Sequence, residues 1–313
     1  MLGDRPLAVM AQHPSRLTSY QLSVTSYYMG LIDFILNLAG VLLWLNWRSL
    51  RFDPLKITSP ATLVGTLRRA EPQRLRGWQF LAGLAALLLL RAPLYRQIGP
   101  AADWTPKLNL YFVILAFRSD LWLQVAFYSV LSFARVLLIC YFWLLALAMI
   151  SRRNAEPDPL LKMLRSQLGP IARWPWLVQL LLPWLLVAAL WIALHPLLLH
   201  LGITNRVRSN AHLVEQGVLI GTALYFSLQY VLPMFLFLHL IGSYVYLGVS
   251  PLWDFIEATS RNLLVPLRWL PLRIAKLDFA PLVGVILILS LLHLAPRLIL
   301  GELAKHHVST WPQ

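Results

Sequence analysis

The sequence predicts an all-α, polytopic membrane protein with six transmembrane helices, arranged as three hairpins with amphipathic connecting segments. Of its 313 residues, 58% are hydrophobic and only 13% are charged, whereas soluble proteins keep roughly a quarter of their residues charged. Long apolar runs recur along the chain, and basic residues flank them. We therefore attribute the net charge of +14 to membrane flanks and expect no nucleic-acid binding, which would need a basic soluble face.

A spanning helix needs about 20 mostly apolar residues. Six segments meet this requirement: Tyr27–Trp47, Trp78–Tyr95, Leu121–Ile150, Trp176–Leu199, Val218–Leu247 and Phe279–Leu294. A seventh candidate, Leu108–Phe117, has only about half the length that a crossing requires. We predict that residues 108–117 form a short helix at the membrane interface.

The distribution of Lys and Arg predicts the orientation of the spans. Basic residues concentrate between spans one and two, three and four, and five and six. The first of these segments is the clearest, with Arg48, Arg51, Lys56, Arg68, Arg69, Arg74 and Arg76. Because positive segments stay in the cytoplasm, we expect all three connections there and both termini outside. The first twenty residues lack the apolar core of a signal peptide, so the first span is expected to act as the targeting signal.

The hairpin pattern recurs with a period of roughly 100 residues. It divides the chain into an N-terminal tail (1–26) and hairpin repeats at 27–120, 121–216 and 217–313. The second and third connectors each place two prolines five residues apart around an Arg-Trp pair, at Pro170–Pro175 and Pro266–Pro271. Apolar and basic residues alternate at helical spacing in the connectors, as with Lys162 and Arg165 among leucines. We predict that these helices lie along anionic headgroups with their apolar faces towards the lipid.

The third hairpin carries a more specific signature. From Ser250 it reads Ser-Pro-Leu-Trp-Asp-Phe-Ile-Glu-Ala-Thr, from Leu264 Leu-Val-Pro-Leu-Arg-Trp-Leu-Pro, and from Leu277 Leu-Asp-Phe-Ala-Pro-Leu-Val. This segment resembles the YggT family of small bacterial and plastid membrane proteins. The signature positions, which we regard as candidates for binding a partner or lipid, are Pro251, Thr259, Pro266, Arg268, Pro271, Asp278 and Pro281.

Three positions depart from the family pattern. The spacing from Thr259 to Pro266 is one residue longer than in the family, Trp269 replaces a basic residue, and Ala280 replaces a serine. The resemblance is weaker over the second hairpin and only architectural over the first. It implies a protein of the bacterial cytoplasmic (inner) membrane that acts with a membrane-protein partner in complex biogenesis, including haem attachment in chloroplasts, or in cell-envelope organisation.

Structural roles alone can also explain the presence of these signature residues. Asp278 followed by Pro281 resembles a helix cap with a first-turn proline, before the last span. Arg268 lies between two prolines that restrict its backbone, and it could pair with lipid phosphate or with Asp278.

Three charged residues lie within the spans: Asp33, Arg91 and Arg135. Charges inside a bilayer are costly and are usually partnered. Each of the three lies about 20–25 Å from the cytoplasmic end of its helix, counted at the rise per residue of an α-helix. Because they share this depth in the membrane, Asp33 could pair with Arg91 or with Arg135. Alternatively, the arginines extend separately to the outer headgroups.

Catalytic and metal-binding signals are weak. The sequence has no Walker A loop, no GxSxG, no CxxC and no paired catalytic carboxylates, so we predict no enzymatic activity, no catalytic residue and no metal site. The single cysteine, Cys140, allows no intrachain disulfide. The leading hypothesis is a non-enzymatic membrane scaffold or assembly factor. A small-solute or ion transporter, favoured by repeats and intramembrane charges, and a haem-handling protein using His239 or His293 are the alternatives.

Overall fold

The computed structural model describes residues 13–51, 77–101, 104–153, 159–207, 209–245, 248, 250–267, 269, 273–274 and 277–305. Most of these residues are helical. The helices are α1 (His13–Arg51), α2 (Gly77–Ala101), α3 (Trp122–Ile150), α4 (Pro159–Leu168), α5 (Trp176–His200), α6 (Asn210–Phe226), α7 (Leu228–Tyr244), α8 (Pro251–Leu263) and α9 (Ala280–Lys305). Short 3₁₀ turns cover Ser151–Arg153, Gly169–Arg173 and Val265–Leu267.

Six helical segments of the described ranges are long and apolar enough to cross a membrane: Tyr28–Arg48, Gly77–Gly99, Trp122–Ile150, Trp176–His200, Asn210–Tyr244 and Ala280–Ile299. They overlap the six predicted spans, although the fifth begins at Asn210 and not at Val218. Continuous apolar runs predict such helices well, because in lipid the backbone can satisfy its hydrogen bonds only within the helix.

The first helix is longer than the sequence suggested. We expected a tail over residues 1–26, but α1 begins at His13, so helical backbone continues well before the apolar part of the span. Residues 1–12 lie outside the described ranges, and so does most of the first connector (52–76).

The prediction of an interfacial helix over 108–117 is wrong. This segment instead contains strands β1 (Lys107–Asn109) and β2 (Ile114–Ala116), which form a two-stranded sheet. Tyr111 has a φ of 76°, a left-handed conformation that a helix does not contain. Each strand buries its central residue and exposes the two that flank it, which is the period-two pattern of a strand. A short apolar run does not by itself distinguish the two structures.

Two compact units divide the chain. The first contains α1, α2 and α3 as far as Val136, and the second contains α3 from Leu137 together with α4 to α9. In the first unit α1 packs against α2, and the arrangement of these spans as a hairpin stays a prediction. In the second unit α7 packs against α9, and α5 packs against α6.

The contact between α5 and α6 depends on two glycines four residues apart. A Cβ atom built on Gly221 would lie 2.9 Å from the Trp184 carbonyl oxygen, and one on Gly217 would lie 3.1 Å from the Ala188 carbonyl oxygen. Small residues at this spacing allow membrane helices to approach closely. The indole of Trp184 also donates a hydrogen bond to Thr222 across the contact, at 3.2 Å. The sequence assigned α5 to a hairpin with α3, and that pairing stays a prediction.

The connector helices α4 and α8 bury their apolar faces inside the protein. Buried residues of α3, α4, α7 and α8 form one cluster, which we name the connector core: Leu145, Leu147, Ala148, Leu161, Leu164, Leu168, Val231, Phe235, Phe255 and Ile256. We had expected these apolar faces to rest on lipid. For the described residues of α4 and α8 this is wrong, because protein side chains already cover those faces.

Strands β3 (Arg273–Ile274) and β4 (Leu277–Asp278) form a second antiparallel pair, in which Arg273 is the register partner of Asp278. The last helix, α9, begins two residues later, at Ala280. Asp278 therefore lies in a strand and is separated from α9 by Phe279, so the predicted cap position is wrong. The backbone pairing with β3 accounts for the extended conformation of Asp278.

Candidate functional site

A buried polar network connects three helices of the first unit, and its centre is the carboxylate of Asp33. Arg91, on α2, forms a salt bridge with Asp33 Oδ1. The Arg91 side chain is only 1% exposed and that of Asp33 is 17% exposed. Burying an unpaired guanidinium would be very costly, so this pairing is the condition under which Arg91 can occupy its position.

Other polar side chains complete the coordination of the carboxylate. The Tyr95 hydroxyl donates to Asp33 Oδ1 at 2.8 Å. Asn37 Nδ2 and the Ser132 hydroxyl each donate to Asp33 Oδ2 at 3.1 Å. Together with Arg91, four side chains from α1, α2 and α3 therefore hydrogen-bond to one carboxylate. Such a site has little remaining capacity to accept a hydrogen bond from a ligand.

The network also holds Arg91 and Asn37 in place. Arg91 donates through one terminal nitrogen to Asn37 Oδ1 at 2.9 Å and through the other to the Tyr95 hydroxyl at 3.3 Å. Asn37 Nδ2 also reaches the Ser132 hydroxyl at 3.0 Å. Within the described ranges only the Nε of Arg91 lacks a partner in this group. The hydrogen-bonding groups of this network are thus nearly all paired with one another, and these bonds hold the three helices together.

Aromatic rings pack beside the polar network within the first unit. The ring of Tyr95 lies 5.3 Å from that of Trp104 and 5.9 Å from that of Tyr128, between ring centroids. Phe117 contacts Tyr128 at 5.3 Å. On α1, Gly40 receives the Phe133 ring, because a Cβ there would lie 2.9 Å from that ring. These rings place apolar surface beside the polar network, and a less polar environment strengthens the electrostatic attraction within an ion pair.

Both members of this pair are charged residues that the sequence singles out, whereas Asn37, Tyr95 and Ser132 are not. The structure places Asp33 against Arg91, whereas Arg135 lies on the exposed surface of α3. Asn37 follows Asp33 by four residues and Tyr95 follows Arg91 by four, so each shares a helix face with a charged residue. That spacing could have identified both. Ser132 has no comparable signal.

The second unit has a smaller buried polar contact at the signature. The Thr259 hydroxyl on α8 hydrogen-bonds to the Ser151 hydroxyl at 2.9 Å, and the two residues are 1% and 0% exposed. Next to them, Ser260 donates to the Phe235 carbonyl at 3.1 Å, and Asn262 donates to the Ile150 carbonyl at 3.2 Å. The signature threonine therefore joins α8 to the end of α3 and offers no free hydroxyl at the surface.

The remaining signature residues are not gathered into one pocket among the described residues. Pro251 is the first residue of α8, Pro266 is exposed in a 3₁₀ turn, and Pro281 is buried at the start of α9. Arg268 and Pro271 lie outside the described residues, so the predicted contact of Arg268 with Asp278 lies there too. Trp269, between them, is 80% exposed.

Metal and haem ligands give no further candidate in this part of the chain. Within the described ranges no group of three or more His, Cys, Asp and Glu side chains is placed to hold a metal ion. His239 is half-buried and His293 is exposed; haem ligation by either residue stays a prediction.

The entrance to α3, outside the spans, carries a surface ion pair. Arg118 donates to Asp120 at 2.8 Å, and this hydrogen bond holds the pKa of the Asp120 carboxyl below its ordinary value. The backbone N–H of Arg118 donates to the Gln124 side chain at 2.7 Å. These contacts fix the turn that leads from β2 into α3.

Comparisons with known proteins identify no relative: no family model, no curated protein and no solved structure matches the chain. What the structure shows by itself is a mostly helical chain, whose described residues include six helices long and apolar enough to cross a membrane. The resemblance to the YggT family rests on the residues quoted above and stays a prediction.

Proposed function

We propose that this protein is a non-enzymatic membrane scaffold or assembly factor of the YggT type, located in the bacterial cytoplasmic membrane. Its role would be to hold a membrane-protein partner during complex biogenesis or in the organisation of the cell envelope. The observation that carries the proposal is that side chains of the protein itself already bind the Asp33 carboxylate. Four donors from three helices surround a carboxylate that is the best candidate for moving an ion or a proton.

A transport role would make different demands on the same residues. A transporter needs intramembrane polar groups that exchange ligands between conformations, and such groups are free to bind in at least one of them. In the first unit the polar groups bind each other, across helices that are tightly packed around them. This arrangement favours a static support over a pathway.

The connector core supports the proposal from the second unit. α4 and α8 are short amphipathic helices fixed by buried leucines and phenylalanines and by the contact of Thr259 with Ser151. Their outer faces are thus presented at constant positions, as a docking platform requires. The exposed Trp269 follows α8 in the sequence, and exposed Trp residues are frequent anchors in protein interfaces.

Capture of partners tests the proposal directly. The tagged full chain is purified from native membranes, and the proteins recovered with it are identified by mass spectrometry. We expect a defined membrane-protein partner whose recovery falls with Trp269→Ala and Arg268→Ala while the amount of folded protein is unchanged. Trp78→Ala, which removes an exposed tryptophan from the first unit, is the control and should not reduce recovery.

A transport assay supplies the contrary outcome. The protein is reconstituted into vesicles, and the flux of protons, sodium and potassium is measured for the original chain and for Asp33→Asn. Flux that disappears in a folded Asp33→Asn variant would contradict the scaffold proposal. Absence of any reproducible partner from native membranes would contradict it as well.

A further inference from the structure

The outward face of α4 and of the turn after it is basic. Lys162 and Arg165 are exposed on α4, and Arg173 is exposed in the 3₁₀ turn that follows. On the opposite side of α4, Leu161 and Leu164 are buried in the connector core. Burial of that side fixes the rotation of α4 about its axis, so Lys162 and Arg165 point away from the connector core, and Arg173 is exposed in the turn that follows. We name Lys162, Arg165 and Arg173 the cationic face.

These cations lack counter-charges in the described part of the chain. None of the three has an ion pair there. The neighbouring connector helix differs, because Arg261 on α8 pairs with Glu257 one turn earlier and the exposed Asp254 adds a further negative charge. Glu156 and Asp158, which precede α4 in the sequence, lie outside the described residues. The two helices therefore have the same kind of packing and different charge, since α4 contains two basic and no acidic residues whereas α8 contains two acidic residues and one basic residue.

The aromatic neighbours of the cationic face place it at the level of lipid headgroups. Trp174 and Trp176 are exposed, directly after Arg173. α5 begins at Trp176, and its first turns already expose Leu177 and Leu181 to the surroundings. Arg173 is three residues before that helix, which is about 5–10 Å along the chain. Tryptophan at the end of a span next to arginine is the arrangement found at a membrane interface.

We infer that the cationic face binds the phosphate groups of anionic phospholipids, with Trp174 and Trp176 seated among the headgroups. Each Lys or Arg near an anionic membrane surface contributes about 1 kcal/mol to such attraction, which corresponds to about a fivefold change in binding. Arginine can also bind phosphate through two hydrogen bonds. The site requires that α5 crosses a membrane and does not depend on the scaffold role.

Lipid selectivity measured by electron paramagnetic resonance tests this inference. The full chain is reconstituted into phosphatidylcholine vesicles with a trace of spin-labelled phosphatidylglycerol or, separately, spin-labelled phosphatidylcholine. The fraction of motionally restricted label gives the association of each lipid with the protein. We expect a preference for phosphatidylglycerol that falls at high salt, because salt screens exposed charges. The triple variant Lys162→Gln, Arg165→Gln, Arg173→Gln should lower that preference measurably, while the basic residues of the other connectors keep part of it.

Two control variants test whether the lipid preference comes from the cationic face. Arg261→Gln removes one exposed cation from the neighbouring connector, where Glu257 already pairs with it, and should leave the preference unchanged. The variant Lys162→Arg, Arg165→Lys, Arg173→Lys keeps the charges and should retain most of the preference. Folding of every variant is checked by size-exclusion chromatography, and since all the altered side chains are exposed we expect normal profiles.

Three results would overturn the inference. The first is an original chain with no preference for the anionic lipid, even if the same cations proved necessary for recovering an acidic protein from membranes. The second is a folded triple glutamine variant that keeps the full preference. The third is an equal loss with Arg261→Gln, which would mean that overall charge and not this face determines the selectivity.

Discussion

Asp33 on α1 and Arg91 on α2 are 58 residues apart in the sequence and form a buried salt bridge between the two helices. In a membrane-spanning part of a protein, each of these charges makes the position of the other tolerable. The pair therefore links the packing of the first unit to a single electrostatic contact, whose removal should be measurable.

The first prediction concerns the coupling between these two residues. Asp33→Ala should lower the free energy of unfolding by about 3 kcal/mol or more, because it leaves a buried cation without its partner. Adding Arg91→Leu to Asp33→Ala should recover part of that loss. Unfolding of the purified protein by a denaturing detergent measures both values. The control pairs Asp33→Ala with Arg297→Leu on α9, in the second unit, and should be additive; additivity for Arg91 as well would contradict the coupling.

The second prediction concerns the signature threonine. Thr259→Val keeps the shape of the side chain and removes its hydroxyl, so that the buried Ser151 hydroxyl loses its partner. We expect a loss of about 1–2 kcal/mol in the free energy of unfolding and a smaller loss when Ser151→Ala is added. Ser166→Ala, which removes a hydrogen bond within α4, should change the stability by less. A Thr259→Val protein as stable as the original would exclude a structural role for this contact.

The third prediction concerns the approach of α6 to α5. Gly221→Ala places a methyl group where only 2.9 Å separates a Cβ from the Trp184 carbonyl oxygen. Forcing the helices apart should cost about 1–3 kcal/mol. Gly242→Ala on α7 is the matched control, since no atom lies within 4 Å of its Cβ position and alanine is the better helix former. Equal thermal stability of the two variants would contradict the close packing.

The fourth prediction concerns orientation across the membrane. After replacement of Cys140, cysteine introduced at the exposed Met163 on α4 should be protected from an impermeant thiol reagent in intact cells. Cysteine at the exposed Ser209, between α5 and α6, should react. Permeabilisation should then make Met163→Cys reactive, which controls for accessibility. Labelling of Met163→Cys from outside would reverse the assignment that the Lys and Arg distribution favours.

The sequence predicted the spans well and the details within them less well. Apolar length identifies a membrane helix because the bilayer imposes it. Depth along the helices was enough to propose that Asp33 pairs with Arg91 or with Arg135, but it could not choose between the two arginines. The same rule excluded 108–117 as a span, but it could not tell a short helix from the two strands that Tyr111 and the alternating burial indicate. Span length also hides the interruption at Ser227, which separates α6 from α7.

Contacts between uncharged side chains of distant segments could not be predicted from the sequence. Ser227 accepts a hydrogen bond from the indole of Trp143 at 3.0 Å and donates to the Leu224 carbonyl at 2.6 Å. No local sequence pattern predicts either contact. Amphipathicity correctly identified α4 as a helix with one apolar face. It could not decide whether lipid or protein covers that face, since both are equally apolar.

The buried position of Arg91 has a consequence for the order in which the helices enter the bilayer. α2 has the lowest mean hydropathy of the six candidate spans, and an arginine near the middle of a segment costs roughly 2.5–3.5 kcal/mol during insertion by the translocon. α1 precedes α2 on the ribosome and carries the matching carboxylate. The nascent α2 should therefore integrate efficiently only when α1 is still beside the translocon. In a glycosylation-mapping assay, Asp33→Ala should lower the fraction of chains in which α2 is inserted into the membrane.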